Sequence, residues 1–202
     1  MIQDANLRAL KNSVTTDDVF AMVARVRERS DVPLVIMTYA NVVFSYGIER
    51  FAARQAELGM GGVILPDVPH EEKQEFDVPF SAAGLDVVSL IAPTSHERIR
   101  QIARDAKGFV YCVSSLGVTG VRSHITTDIN AMVNLVKAER PDLPCAVGFG
   151  ISTPEQAAHM AAPSDGAIVG SAIVRMIGEL GEVCVGPVCD YVRQLAAAVH
   201  SA

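Results

Sequence analysis

The sequence predicts an α/β fold built on a parallel sheet, and three observations lead there. Six short apolar runs recur along the chain, at residues 32–39, 61–67, 85–93, 108–114, 144–150 and 166–171. Each run is continuous rather than alternating, as strands covered on both faces must be. Between the runs, apolar residues recur every three to four positions. Strand and helix therefore alternate at the ~20–35-residue interval of a βα unit.

Taken in order, the chain opens with two helix-like stretches, "DANLRAL" and "TTDDVFAMVARVRERS", before the first strand "VPLVIMTY". "YGIERFAARQAEL" then carries helical spacing ahead of the strand "GGVILPD". "EEKQEFDVPFSAAG" is broken by Pro79, which lacks the N–H that a helix interior needs, so two short turns are expected there. After "LDVVSLIAP", Ser95 is a good N-cap for the helix "SHERIRQIARDA". "GFVYCVS" is the fourth strand, and the next helix, "TTDINAMVNLVKAE", aligns Ile129, Met132, Val133 and Val136 on one stripe. The fifth strand, "PCAVGFG", leads to "TPEQAAHMAA", with Thr153 as N-cap, Pro154 at N1 and Gln156 at N3, the pattern of a capping box. "GAIVGS" is the sixth strand, and "AIVRMIGEL" and "GPVCDYVRQLAAAVHS" close the chain as helices. No Ser/Gly linker or shift in composition divides residues 1–202, so one domain is expected. The sheet is either open and doubly wound or closed as a barrel. A (β/α)8 barrel needs eight strands, and the six runs leave two unaccounted for, both before the first.

Half of the 202 residues are hydrophobic and 5% are aromatic, with no Trp, which favours an interior of branched aliphatic strands and Ala-rich helices. The net charge of −6, with both signs interspersed, argues against nucleic-acid binding and gives no reason to expect an anionic membrane as partner. Cys112 and Cys145 lie inside apolar runs and read as core residues, while Cys184 and Cys189 lack metal-ligand or CxxC spacing. A reducing, cytoplasmic compartment follows as the expectation. The N-terminus has no signal-peptide core and no apolar run approaches the ~20 residues of a membrane span. The five histidines are scattered and read as surface residues, with no Ser–His–Asp or Cys–His grouping.

Chemistry is suggested where strands run into helices through small residues. "GFGIST" follows the fifth strand and "GSAIVR" follows the sixth. A helix N-terminus exposes unpaired N–H groups and the positive end of its dipole, and so binds anions. Two such junctions after the last two strands match the phosphate site common in (β/α)8 barrels. Gly148, Gly150 and Gly170 permit close backbone approach and Ser171 adds a hydroxyl; equally, the glycines serve tight turns. "SSLGVTGVRSHITTD" is a long polar loop of the kind that closes over a site, or a plain connection. Tyr39, Asp67 and Tyr111 lie at or in strand ends. Asp67 fits either a pocket role or a turn cap, and Tyr111 needs a partner for its hydroxyl.

In order, "IQDANLRAL", "MTYAN", "ILPDVPHEE", "IAPTS", "GFVYCVSSLGVTG", "VGFGISTPEQ" and "GSAIVR" closely resemble the tryptophan synthase alpha chain family, from Ile2 to about residue 175. The resemblance implies a (β/α)8 TIM barrel, here with about six strands and the first two βα units upstream of Met1. It implies a lyase of tryptophan biosynthesis that cleaves indole-3-glycerol phosphate to indole and glyceraldehyde 3-phosphate by a retro-aldol step. It implies a phosphate shell of Gly120, Phe149, Gly150, Gly170 and Ser171, with Tyr39, Asp67, Tyr111 and Thr119 in supporting roles. No metal and no cofactor are implied in this chain; pyridoxal phosphate belongs to the partner β subunit of the α2β2 complex.

The family's catalytic Glu and Asp fall upstream of "IQDANLRAL", so neither is expected among these residues, and Asp4 belongs to the helix that follows. The expectation is a fragment or mis-started gene with impaired cleavage. The alternative is a non-catalytic remnant that binds the phosphate ligand or a β subunit. A different phosphate-binding barrel needs its own acid and base at strand ends, where Asp67 is the only acidic residue. An open dinucleotide-binding sheet lacks its GxGxxG after the first strand.

Overall fold

The computed structural model describes residues 1–113, 128–148 and 150–202. The chain forms two compact units, one of residues 9–90 and one of residues 1–8 with 91–202.

In the unit of residues 9–90, helix α2 (Thr16–Arg27) starts on a full capping box that the sequence reading did not single out. Thr15 Oγ1 accepts from the Asp18 N–H at 3.2 Å, and Asp18 Oδ2 accepts from the Thr15 N–H at 2.8 Å. Strands β1 (Val35–Met37), β2 (Gly62–Ile64) and β3 (Asp86–Ile91) pair in parallel, with Val35 opposite Gly62 and Gly62 opposite Asp86. Val35 and Met37 are exposed, so β1 does not have both faces covered as its continuous apolar run suggested. Helices α3 (Ala40–Tyr46) and α4 (Ile48–Glu57) follow β1. A 3₁₀ turn at His70–Glu72 leads into α5 (Gln74–Ala82), which runs through Pro79 without breaking. Proline removes one hydrogen bond, but Phe76 and Phe80 are buried on either side of it, and that burial outweighs the loss.

The low aromatic content suggested an aliphatic interior, yet this core is built on phenylalanine. Phe20, Phe51, Phe76 and Phe80 are all buried, with Phe20 and Phe51 edge to face at 5.2 Å between centroids. Arg27 ties the end of α2 to the turn after α4. Its guanidinium donates to the carbonyls of Leu58 (3.0 Å), Gly59 (3.0 Å), Ser30 (3.3 Å) and Val32 (2.6 Å).

The other unit begins with most of α1 (Ile2–Lys11) and continues through α6 (His96–Asp105), β4 (Val110–Val113), α7 (Ile129–Glu139), β5 (Cys145–Gly148), α8 (Pro154–Ala161), β6 (Gly166–Ile168), α9 (Ser171–Leu180) and α10 (Val185–His200). Strands β4, β5 and β6 are parallel neighbours, with Val110 opposite Cys145 and Ala146 opposite Gly166. Ser95 caps α6 as expected, accepting from the Arg98 N–H at 3.3 Å. Ile129, Met132, Val133 and Val136 of α7 form the expected buried stripe.

Period-two alternation divides the faces of β4 and β5. Val110, Cys112, Cys145 and Val147 pack into one core with Ile99 and Ile102 of α6, the α7 stripe, Met160 of α8 and Leu195 of α10. Tyr111, Ala146 and Gly148 belong to the opposite face. All four cysteines are free thiols; Cys112 and Cys145 are buried, Cys184 is half-buried and Cys189 exposed. A hydrogen bond with the Cys145 thiol, reinforced by burial, pushes the Cys112 thiol far above the usual range. Lys137 Nζ meets Asp165 at 2.8 Å, and Asp165 also accepts from the Cys145 N–H at 2.7 Å. The Lys137 hydrogen bond foremost, with that N–H, holds the Asp165 carboxyl below the usual range.

Candidate functional site

The junction after β5 begins with Gly148, and the structure gives that glycine a packing role. A Cβ built there lies 2.5 Å from the Tyr111 hydroxyl oxygen and 2.8 Å from the ring carbon bearing it. Tyr111 is 7% exposed, and burial alone raises its phenol above the usual range, so the hydroxyl stays protonated. Its ring therefore passes directly over the backbone of β5 where the strand ends. Two residues on, Gly150 has φ +78°, in the region that favours glycine. The two glycines of "GFG" thus have different physical reasons: close approach of a ring at one, backbone conformation at the other.

Beyond Gly150 the chain is pinned. Ile151 is buried, and Thr153 caps α8 by accepting from the Gln156 N–H at 3.2 Å. The reciprocal half of the expected capping box is shifted by one residue. Gln156 Oε1 accepts from the Ser152 N–H (2.8 Å) and the Ser152 hydroxyl (3.2 Å) rather than from Thr153. Tyr191 of α10 donates its hydroxyl to the Ser152 carbonyl at 2.9 Å. Sequence reasoning missed Tyr191 because nothing local links residues 39 positions apart.

After β6, Gly170 is the N-cap of α9 and supplies no side-chain cap. Among the described residues a Cβ at Gly170 meets nothing within 4 Å, and its φ of −123° is not left-handed. The start of α9, with Ser171 as its first residue, is therefore unobstructed by the described residues. Uncapped N–H groups beside open space suit an anion.

In the other unit, Asp67 lies just past β2, and both its carboxylate oxygens are 3.1 Å from the Ala40 N–H, at the start of α3. The cap role open to Asp67 is thus occupied. Tyr39, the N-cap residue of α3, is 60% exposed. Asp4 is exposed on α1. Thr119, Gly120 and Phe149 lie outside the described residues, as do the rest of the "SSLGVTGVRSHITTD" loop beyond Val113 and before Asp128, His124 included. Among the described residues no group of three or more His, Cys, Asp or Glu side chains is arranged to hold a metal, and no helix is long and apolar enough to cross a membrane.

Parallel strands alternating with helices define a protein of the parallel α/β class, and its likeness to solved alpha-subunit structures places it with the (β/α)8 barrels. The family description "Tryptophan synthase alpha chain" matches residues 1–199. The chain is 41% identical over 201 residues to the tryptophan synthase alpha chain of Lacticaseibacillus casei, covering all of this chain and 75% of that one. The crystal structure of the tryptophan synthase alpha chain from Legionella pneumophila superimposes with a TM-score of 0.85 at 35% identity, covering 99% of this chain and 75% of that chain. A chain of the tryptophan synthase complex from Pyrococcus furiosus gives 0.84 at 31% identity, covering 97% and 79%. The chain belongs to the tryptophan synthase alpha chain family.

Proposed function

We propose that the chain serves the family's retro-aldol cleavage of indole-3-glycerol phosphate to indole and glyceraldehyde 3-phosphate, and that these residues form the phosphate-anchoring side of the site. The observation that carries this reading is the start of α9 at Gly170 and Ser171, without a side-chain cap and unobstructed among the described residues, following the Gly150 turn one strand earlier. Amides of the two junctions, with the Ser171 hydroxyl, hold the phosphate as a fixed anchor, and Gly120 and Phe149 complete the shell. Anchoring a remote group orients the reacting carbon–carbon bond, which is where much of the rate is gained.

Cleavage needs an acid to protonate C3 of the indole ring and a base to take the proton of the adjacent hydroxyl as the bond breaks. Tyr111 lies against the β5 terminus as a neutral donor, with Tyr39, Asp67 and Thr119 in supporting roles. The Glu and Asp that perform the proton transfers in the family have, by the resemblance, no counterpart in these 202 residues. This polypeptide alone therefore releases indole at background, since each lost acid–base group costs about 10²–10⁴-fold. A β subunit carrying pyridoxal phosphate is the partner, and the setting is cytoplasmic. The likeness to a chain of the Pyrococcus furiosus tryptophan synthase complex supports the partner.

The test is indole release from the glycerol phosphate substrate, with and without a β subunit, alongside calorimetric binding of glycerol 3-phosphate. Background turnover together with phosphate-ester binding that Ser171→Ala weakens supports the reading. Full turnover refutes the need for the absent carboxylates, and no binding refutes the phosphate site.

A further inference from the structure

We propose that Tyr191 is a positioning residue for the phosphate-anchoring turn, a role that rests on reading the β5–α8 junction as part of that anchor. The turn has an intrinsic weakness. Gly150, at a left-handed φ of +78°, gives its backbone more freedom than any other residue type could, and an anion site needs amides held in one direction. What fixes the turn comes after the glycines. Ile151 buries its side chain. Ser152 is then held at three atoms: its N–H and its hydroxyl on Gln156 Oε1, and its carbonyl on the Tyr191 hydroxyl.

The two ties differ in kind. Gln156 lies in the first turn of α8 and moves with the junction it braces. Tyr191 lies in α10, outside the strand–helix unit that forms the turn. Its ring packs against the main core of this unit, and one turn further on Leu195 is buried there at 6% exposure, beside Ala157 and Met160 of α8. The hydroxyl therefore refers the turn to a separate, anchored element. Burial also holds the phenol above its usual range, so it remains a donor throughout the physiological span. Removing that hydroxyl leaves the peptide between Ser152 and Thr153 without its external reference. The Gly150 and Ile151 amides, two and one residues upstream of Ser152, then sample more directions.

Tyr191→Phe isolates the effect, because the ring and its packing are kept. A single net hydrogen bond corresponds to a roughly threefold to tenfold change in an equilibrium constant. In the 202-residue chain, the dissociation constant for glycerol 3-phosphate, measured by calorimetry, rises by that factor in Tyr191→Phe. Hydrogen exchange of the amides of residues 150–153 also speeds up, and the melting temperature falls by no more than about 5 °C. Val192→Thr, an exposed change one position away on α10, leaves all three readouts unchanged.

If wild type binds the ester and Ser171→Ala weakens it, but Tyr191→Phe binds as wild type does, the positioning role is overturned while the phosphate reading stands. The positioning role fails in the same way if Tyr191→Phe lowers the melting temperature without touching affinity or exchange at 150–153. If wild type does not bind the ester at all, the phosphate reading fails and the positioning role falls with it.

Discussion

Replacing Gly148 by alanine tests why a glycine ends β5. The added methyl would sit 2.5 Å from the Tyr111 hydroxyl oxygen, 2.8 Å from the ring carbon that bears it and 2.9 Å from the next. Carbon atoms in contact prefer separations of about 3.5–4.0 Å, so the ring must move by roughly 1 Å. Tyr111 is buried and its neighbours on β4 belong to a packed sheet, so the movement is resisted. Overpacking of this kind costs typically about 1–3 kcal/mol. For a chain of this size that is a fall in melting temperature of about 2–4 °C per kcal/mol. The assay is thermal and urea unfolding of Gly148→Ala, Tyr111→Val and the double variant. Tyr111→Val removes the obstructing ring, so Gly148→Ala should cost little in that background. Tyr111→Phe should rescue only in part, because the ring carbons remain. A Gly148→Ala protein with wild-type stability would refute the packing argument and leave ligand approach as the reason for the glycine.

Arg27→Met removes four hydrogen bonds to main-chain carbonyls at the junction of α2 with the turn after α4. A loss of about 1–3 kcal/mol is expected by urea titration, and Arg27→Lys should recover little of it, because an ammonium cannot fork as a guanidinium does. Asp165 is held below its ordinary value of 3.8, so its contribution to stability is fully present above that pH and lost as pH falls through the depressed value. In acid titrations followed by circular dichroism, Asp165→Asn and Lys137→Met should each be less stable at about pH 7, and their deficit should shrink toward about pH 2.

What the sequence made legible was what is local. The six strands among the described residues fall inside the six apolar runs, and the α6 cap and the α7 stripe occur where spacing and residue type placed them, because each depends on neighbours within one turn. α3 does not separate from α4 in the sequence, since "ANVVFSY" is too short to show a period. Pro79 misleads because two buried phenylalanines, not the backbone bond it forfeits, decide whether α5 continues. At the candidate site, the positions of Gly150, Gly170 and Ser171 at strand–helix junctions were readable. The packing of Tyr111 on Gly148 and the tie from Tyr191 were not, because both depend on which face a strand turns and where a distant helix docks.

The four thiols are distributed so that the molecule carries its own gauge of opening. Two lie deep on the helix-packed side of adjacent strands, one of them made a poor nucleophile by its neighbour, whereas the other two are at the start of the last helix within reach of solvent. An electrophile added to the native protein meets one exposed and one half-buried sulfur; after denaturation it meets four. The surplus labelling therefore clocks how often the interior around β4 and β5 comes apart, without any engineered probe.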